Sequence, residues 1–514
     1  MTSPKVLTEG GKRKTTSAVQ RYILMPVRGF RAIQPLSTPG AANFLVSMAS
    51  LGLVGPQAFG KKEVPPLKMR VLDSIHEDGP KLVELIPDEA ITLRAHEPSV
   101  KLVPVLYYRP AVAPRFTIES RFKAAAGRAA IQVKLKVTSK KDAVPIAGAM
   151  VVAFTDFKGR IGDQGITNSK GEAGLSLGGM SKNIQRLYIY PEKGFWSYLK
   201  KNITVASGMT VGLEPLNLSY TDSLRYLYGN SSDDSGAGVK VAVIDTGIDM
   251  THPDLHVDGG MNTVLGEDPT DFGQSISSHG THVAGIIAGR GRPPSGLLGL
   301  APGVTLRSYR VFGKKAEEGS NYDIIKAIDQ AVADGCDLIN MSLGGGPSDD
   351  AMSAAIEEAR SKGCAVIVAA GNQNRSPVSF PASDPSAIAV SAMGRIGTFP
   401  KDSTEAGDIA RPYGKDRNNF IAAFSNIGLD LDLMGPGVGV LSTVCGGYAP
   451  MSGTSMACPA VTGLAAKIFS TAGYRNILSM PRDQTRSDAM VQAMFQVAKS
   501  LGFGPRYEGK GLPQ

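Results

Sequence analysis

Tryptophan occurs once and histidine six times in 514 residues, and the four cysteines, Cys336, Cys364, Cys445 and Cys458, all lie in the back half. No two of these cysteines stand in a CxxC spacing. The sequence therefore offers no thiolate metal motif and reads as carrying free buried thiols rather than a disulfide framework. Long apolar runs are also missing. The most apolar block, "AANFLVSMASLGLVG" from Ala41 to Gly55, is too short to span a bilayer and reads as a buried helix. The basic N-terminus "MTSPKVLTEGGKRK" has no apolar segment directly behind it, so no clear signal peptide is read. With unpaired cysteines, this favours a cytoplasmic over a secreted protein. Basic helices, aromatic-basic strand motifs and zinc spacings are absent, which argues against a nucleic-acid partner.

What is present is glycine, 60 residues of it, and enough chain for two to four domains. Charge is uneven. Residues 1–220 hold 31 Lys and Arg against 16 Asp and Glu, a net +15, and the remaining 24 and 30 give −6 for 221–514. A basic front and an acidic back suit two parts of one molecule that attract each other.

Three segments follow. Residues 20–112 alternate strand and helix signals: "RYILMPV", "MRVLDSI", "KLVELI" after an Asp-Gly turn, the acid-led helix start "PDEAITLRAHEPS", and "VKLVPVLYYRP". Their order predicts a β-α-β-β-α-β, ferredoxin-like α+β domain. In 120–217, "IQVKLKV" alternates apolar and polar residues strictly, and similar stretches separated by Gly- and Asn-bearing turns predict a small all-β sandwich. From 220 to 510, buried strands such as "VKVAVI" and "CAVIVAA" alternate with helical stretches such as "NYDIIKAIDQAVADG". That pattern predicts an α/β domain with a mostly parallel sheet, whose strand ends carry the site.

Polar residues stand at those ends. Asp245 follows "VAVI", His279 sits in "SSHGTHVAG", Asn372 ends "AAGN", and Ser455 lies in "MSGTSMACPAVTG". Singly, each has a structural reading: a turn residue, a packed histidine, a second turn residue, a helix cap. Together they are the parts that acyl transfer needs. A hydroxyl nucleophile requires an imidazole to take its proton, the imidazole a carboxylate to orient it, and the oxyanion a preorganised donor.

The ordered motifs "VAVIDTGID", "HGTHVAGIIAG", "INMSLGG", "AAGN" and "GTSMACPAVTG" resemble those of the subtilisin-like serine peptidases, the subtilases, from about residue 237 onward. The resemblance implies a serine endopeptidase with Asp245 as orienting acid, His279 as general base, Ser455 as nucleophile and Asn372 as side-chain oxyanion donor. It also implies a peptide-binding wall at Ser342, Leu343 and Gly344, an opposite wall at Ala370 and Gly371, and Ser379 on the pocket floor. A calcium ion is common in the family. Here the loop "RGRPPSG" lacks the usual oxygen ligands, Asp254 alone matching a ligand position, so no metal is assigned. By the same resemblance the first domain is a propeptide and intramolecular inhibitor. Its last strand would lie in the cleft, with any self-processing between Tyr108 and Pro114, and the partners are peptides or proteins. Two alternatives stand beside hydrolysis: a catalytically idle binding or scaffold protein, and a peptide ligase or macrocyclase. Only 34 positions separate Asp245 from His279, leaving no inserted cap to exclude water, which favours hydrolysis.

Overall fold

The structure, a computed structural model, describes residues 18–32, 68–121, 131–177, 183–275 and 277–514. The apolar block Ala41–Gly55 and the first crossover of the expected β-α-β-β-α-β order lie outside the described residues. The chain divides into two compact units, with the break between Val105 and Leu106.

In the first unit, four strands form one antiparallel sheet: Arg70–Ser74, Lys81–Leu85, Gln20–Pro26 and Val100–Pro104, in that spatial order. Alternation aims Tyr22 and Leu24, Val83 and Leu85, and Val100 and Leu102 at one core, where Ala90 and Leu93 of the helix Pro87–His96 join them. That helix begins on a proline, with Asp88 and Glu89 in its first turn and Arg94 and His96 in its last, as the backbone dipole favours.

The second unit holds two bodies. In the first, a three-stranded sheet (Glu172–Leu177, Ile131–Ser139, Thr210–Leu213) shares a core with a five-stranded one built on Asn183–Tyr190 and Met150–Asp156. Val133, Leu135 and Val137 face Val151, Ala153, Leu187 and Ile189 there. The second body is a sheet in the order Gly260–Asn262, Thr305–Arg310, Lys240–Asp245, Leu338–Met341, Ala365–Ala369 and Ile388–Arg395, parallel throughout, with Leu433–Pro436 also parallel to the last. Asn419–Ile421 alone runs antiparallel to it. These strands are buried almost throughout, so they read as continuous apolar runs rather than alternations.

The single tryptophan joins the two bodies. Trp196, at the end of the five-stranded sheet, is buried in the core of the α/β body, edge-on to Tyr220. Beside it Leu199 N–H donates to the Asp402 carbonyl, and Lys193 Nζ donates to the carbonyls of Cys445 and Gly446. The all-β body is therefore fixed to the α/β body through a buried indole and hydrogen bonds to main-chain carbonyls.

One cysteine departs from expectation. Cys336, Cys364 and Cys458 are buried and unpaired, but Cys445 is exposed, because it occupies the turn joining Val440–Val444 to Gly447–Met451. Burial pushes the Cys364 thiol up to about 11. No described helix is long and apolar enough to cross a membrane.

Candidate active site

The buried run Val241–Ile244 ends at Asp245, and the helix His279–Ala288 starts with the imidazole facing it. His279 Nδ1 and Asp245 Oδ1 are 2.7 Å apart, both side chains about 1% exposed, and Thr246 N–H donates to the same oxygen at 2.7 Å. Gly280 makes this approach possible: a Cβ there would stand 2.4 Å from the Gly247 carbonyl oxygen. His279 Nε2 is buried and makes no protein hydrogen bond among the described residues.

Ser455 stands in the first turn of the helix Thr454–Phe469, whose cap position is Gly453. The serine is thus a helical residue rather than the cap itself. Pro459 lies four residues further on and has no N–H to give to the Ser455 carbonyl. Ser342 Oγ supplies the missing donor at 3.0 Å, and the Ser342 carbonyl accepts the Ser455 hydroxyl at 3.0 Å. Ser455 Oγ therefore points at Ser342 and not at His279.

Asn372, at the turn after Ala365–Ala369, is oriented by two contacts. Its Oδ1 accepts Thr454 N–H at 2.9 Å, leaving Nδ2 as the donor. That Nδ2 donates to the carbonyl oxygen of Ala111, and Ser455 N–H donates to the same oxygen at 3.1 Å. Two donors converging on one carbonyl form an oxyanion-hole arrangement.

The segment carrying Ala111 runs through the cleft as a strand. Tyr107–Pro110 pairs antiparallel with Gly319–Ser320 on one edge and Leu343–Gly344 on the other. Ala111 N–H donates to the Ser342 carbonyl at 2.9 Å, Ala113 N–H to the Ser452 carbonyl at 2.8 Å, and Asn321 clasps Leu106 through Oδ1 and its own N–H. Successive N–H groups leave a strand on opposite edges, so Pro110, between Arg109 and Ala111, lacks its donor on the edge where the Gly319–Ser320 pairing has already ended. Gly453 lets the chain lie this close: its φ is 156°, and a Cβ there would stand 2.7 Å from the Ala111 oxygen.

Among the other residues expected to bind substrate, Ser342, Leu343 and Gly344 line one edge of this strand, and Gly371, after Ala370, donates its N–H to Thr454 Oγ1 at 3.1 Å beside the nucleophile candidate. Ser379 Oγ donates to the Ala370 carbonyl at 3.0 Å and would be 2.4 Å from a Cβ on Gly371. Asp254 commits its carboxylate to the protein, accepting Leu297 N–H and Tyr448 Oη–H at 2.8 Å each. No cluster of three His, Cys, Asp or Glu suited to a metal occurs among the described residues. Cys458 is fully buried, its thiol donating to Asn340 Oδ1 and pushed up by desolvation, so it is shielded from reagents in the cleft.

The Gly319–Ser320 edge was missed by sequence reading, since a two-residue strand has no period. Its one signal is Ser320 with Asp323, an N-terminal capping pair whose hydroxyl accepts Asp323 N–H at 3.1 Å. Ser452, Asn321 and Asp349 were missed as well. Ser452 acts through its carbonyl, Asn321 through Oδ1 and its own N–H, and Asp349 as a helix cap, contacts that no local side-chain motif marks.

A family model described as "Subtilase family" matches residues 236–504. Subtilisin NAT of Bacillus subtilis subsp. natto is 38% identical over 283 residues, 54% of this chain and 65% of that protein. Subtilisin of Bacillus pumilus is 38% identical over the same length, 90% of its own. M-protease of Shouchella clausii (strain KSM-K16) is 39% identical over 235 residues, 46% of this chain and 54% of its own. The chain thus spans slightly less than two thirds of Subtilisin NAT and of Subtilisin E.

Proposed function

The chain belongs to the subtilase family, and from that premise we propose that it is a serine endopeptidase that presents its own Ala111–Val112 bond for cleavage. The observation that carries this reading is the Ala111 carbonyl oxygen, held by Ser455 N–H and Asn372 Nδ2 while its strand is paired on both edges.

In the proposed reaction, the Ser455 hydroxyl leaves the Ser342 carbonyl and turns to His279 Nε2, which takes its proton as Oγ bonds to the Ala111 carbon. Asp245 holds the Nδ1 proton and stabilises the imidazolium. The negative oxygen of the tetrahedral intermediate stays on the two donors that already hold the carbonyl. Collapse breaks the bond to the Val112 nitrogen, which leaves as an amine with the proton from His279. Water, deprotonated by the same imidazole, then hydrolyses the acyl-enzyme.

We further propose that the N-terminal part ending at Ala111 is a propeptide and inhibitor with a ferredoxin-like core, and that the β-sandwich stays with the peptidase. The second proposal is supported by the strap after the bond: Phe116 N–H donates to Tyr190 Oη at 3.1 Å and Ile118 N–H to Gln164 Oε1 at 2.9 Å. The same strap favours a second reading, re-formation of the bond, because it keeps the Val112 amine beside the acyl-enzyme. The test is hydrolysis of the peptide anilide Tyr-Arg-Pro-Ala-p-nitroanilide. Wild type should release nitroaniline and Ser455→Ala should not. Equal release by both would reject the assignment of the nucleophile, and release by neither would favour the idle-scaffold alternative.

A further inference from the structure

Of the three residues Tyr107, Tyr108 and Arg109 along the cleft strand, two face water. Tyr107 is 53% exposed, and the exposed Arg109 pairs with the half-buried Glu318 at 2.7 Å, while Tyr108 is completely buried. Its ring lies against Gly346, where a Cβ would stand 2.5 Å from a ring carbon, and is tilted to Phe380 at 6.3 Å between centroids. A slot of this shape would take any flat side chain. Its far end is not apolar, however.

There the tyrosine hydroxyl lies 3.3 Å from the Pro347 carbonyl oxygen and 3.4 Å from Asp349 Oδ2. Asp349 is 2% exposed and held rigidly. Its Oδ1 caps the helix Asp350–Ser361 by accepting Ala351 and Met352 N–H, and its Oδ2 accepts Asn321 Nδ2 at 2.7 Å. Asn321 is the residue that clasps the backbone at Leu106, so reading of the main chain and of the side chain meets at one carboxylate. Two fixed acceptors at the bottom of a closed slot, with one hydroxyl hydrogen to share between them, make a polar recognition point.

We infer that Asp349, with the Pro347 carbonyl, makes this subsite select a tyrosine four residues before the cleaved bond's amine, over phenylalanine of the same shape. The inference rests on the endopeptidase reading above and extends it to substrate class: extended segments with tyrosine at the third position before the acyl-donating residue. A phenylalanine would fill the slot but leave the Pro347 carbonyl with no donor from the peptide and one face of the carboxylate unmatched. Asp349 keeps its bond from Asn321 in either case, so the discrimination is that of one long hydrogen bond to a charged acceptor, about tenfold.

The experiment compares Tyr-Arg-Pro-Ala-p-nitroanilide with the Phe-Arg-Pro-Ala and Ala-Arg-Pro-Ala forms on the full chain. In wild type, kcat/KM should favour the tyrosine peptide over the phenylalanine one by about tenfold. Asp349→Ser retains a good helix cap but is too short to reach the ring hydroxyl, and the tyrosine-to-phenylalanine ratio should fall several-fold, to what the Pro347 carbonyl alone supports. Gly346→Ala narrows the slot and should lower both ring-bearing peptides relative to the alanine peptide. A wild-type ratio near one, or a tenfold ratio that survives Asp349→Ser, overturns the inference and leaves the endopeptidase reading standing. Hydrolysis of none of the three peptides by wild type overturns both.

Discussion

The two sides of the Ala111–Val112 bond are held by different physics. On the N-terminal side, Leu106–Ala111 is fixed by main-chain hydrogen bonds along two edges, and Tyr108 is the one side chain buried deeply. On the C-terminal side, one main-chain bond ties Ala113 to Ser452, side chains of the β-sandwich then hold Phe116 and Ile118, and main-chain pairing resumes only from Glu119 onward. Phe116 sits 5.2 Å from both Phe157 and Tyr188, Arg160 lies over its ring, and Arg115 lies over Tyr190. Backbone pairing can be offered by any extended peptide. An aromatic clasp of this kind belongs to this chain alone. The contrast separates what a substrate could imitate from what only the chain's own linker can do.

The largest break in that contrast should come from the proposed oxyanion donor, which would serve any acyl group whether its leaving side is clasped or free. Asn372→Ala should lower turnover of a peptide anilide by roughly 10²–10³, a magnitude carried over from the corresponding substitution in subtilisin. Near-normal turnover would remove Asn372 from the mechanism.

Next in size is the strut beneath the nucleophile. Ser342→Ala leaves the Ser455 carbonyl buried without its donor, a cost of about 1–3 kcal/mol, read as a lower urea midpoint. Pro459→Ala restores an N–H for that carbonyl, so the double variant should be more stable than the sum of the two single effects predicts. Strict additivity would show that Ser342 Oγ is not the substitute for the missing helical bond.

Both sides also depend on the hairpin that ends at Ser452. His282 holds it, with Nε2 3.1 Å from the carbonyls of Val440 and Ala449, and burial lowers its pKa to about 3. The unfolded chain's histidine titrates near 6.5, so between 6.5 and about 3 the unfolded state binds more protons. This contribution is complete above pH 6.5 and is lost as pH falls through that window, by at most about 1.4 kcal/mol per pH unit. The stability difference between wild type and His282→Asn should therefore shrink with acid. A difference constant from pH 7 to pH 4 would contradict it.

The smallest effect sharpens the contrast most. Phe116→Ala should loosen the strap by about 0.5–1.5 kcal/mol beyond its lost area, accelerating amide exchange at Phe116 and Ile118 while leaving Ala111 protected. Equal acceleration on both sides of the bond would mean that the two attachments are one cooperative structure.

The sequence was most informative where chemistry sits at the end of a buried run. Asp245 after "VAVI" and Asn372 after "AVIVAA" are conspicuous because apolar strands end abruptly in a polar side chain, and the strict alternation of Ile131–Val137 marks a half-buried strand. Less legible were features made by contacts distant in the chain. Tyr107–Pro110 meets partners more than 200 positions away, and Trp196 looks like any aromatic until the α/β core closes over it. Asp349 reads as a helix cap, which it is, and nothing local shows that its second oxygen faces a tyrosine ring hydroxyl. Likewise Cys445 lies between apolar stretches and suggests burial, whereas the turn exposes it.

The central claim is that the chain holds its own bond between Ala111 and Val112 as substrate. Mass spectrometry and N-terminal sequencing of freshly purified wild type beside Ser455→Ala test it most directly. A new N-terminus at Val112 in wild type, with Ser455→Ala intact, is the predicted result. A terminus between Asn217 and Asp222, or the same cut in both proteins, would contradict it.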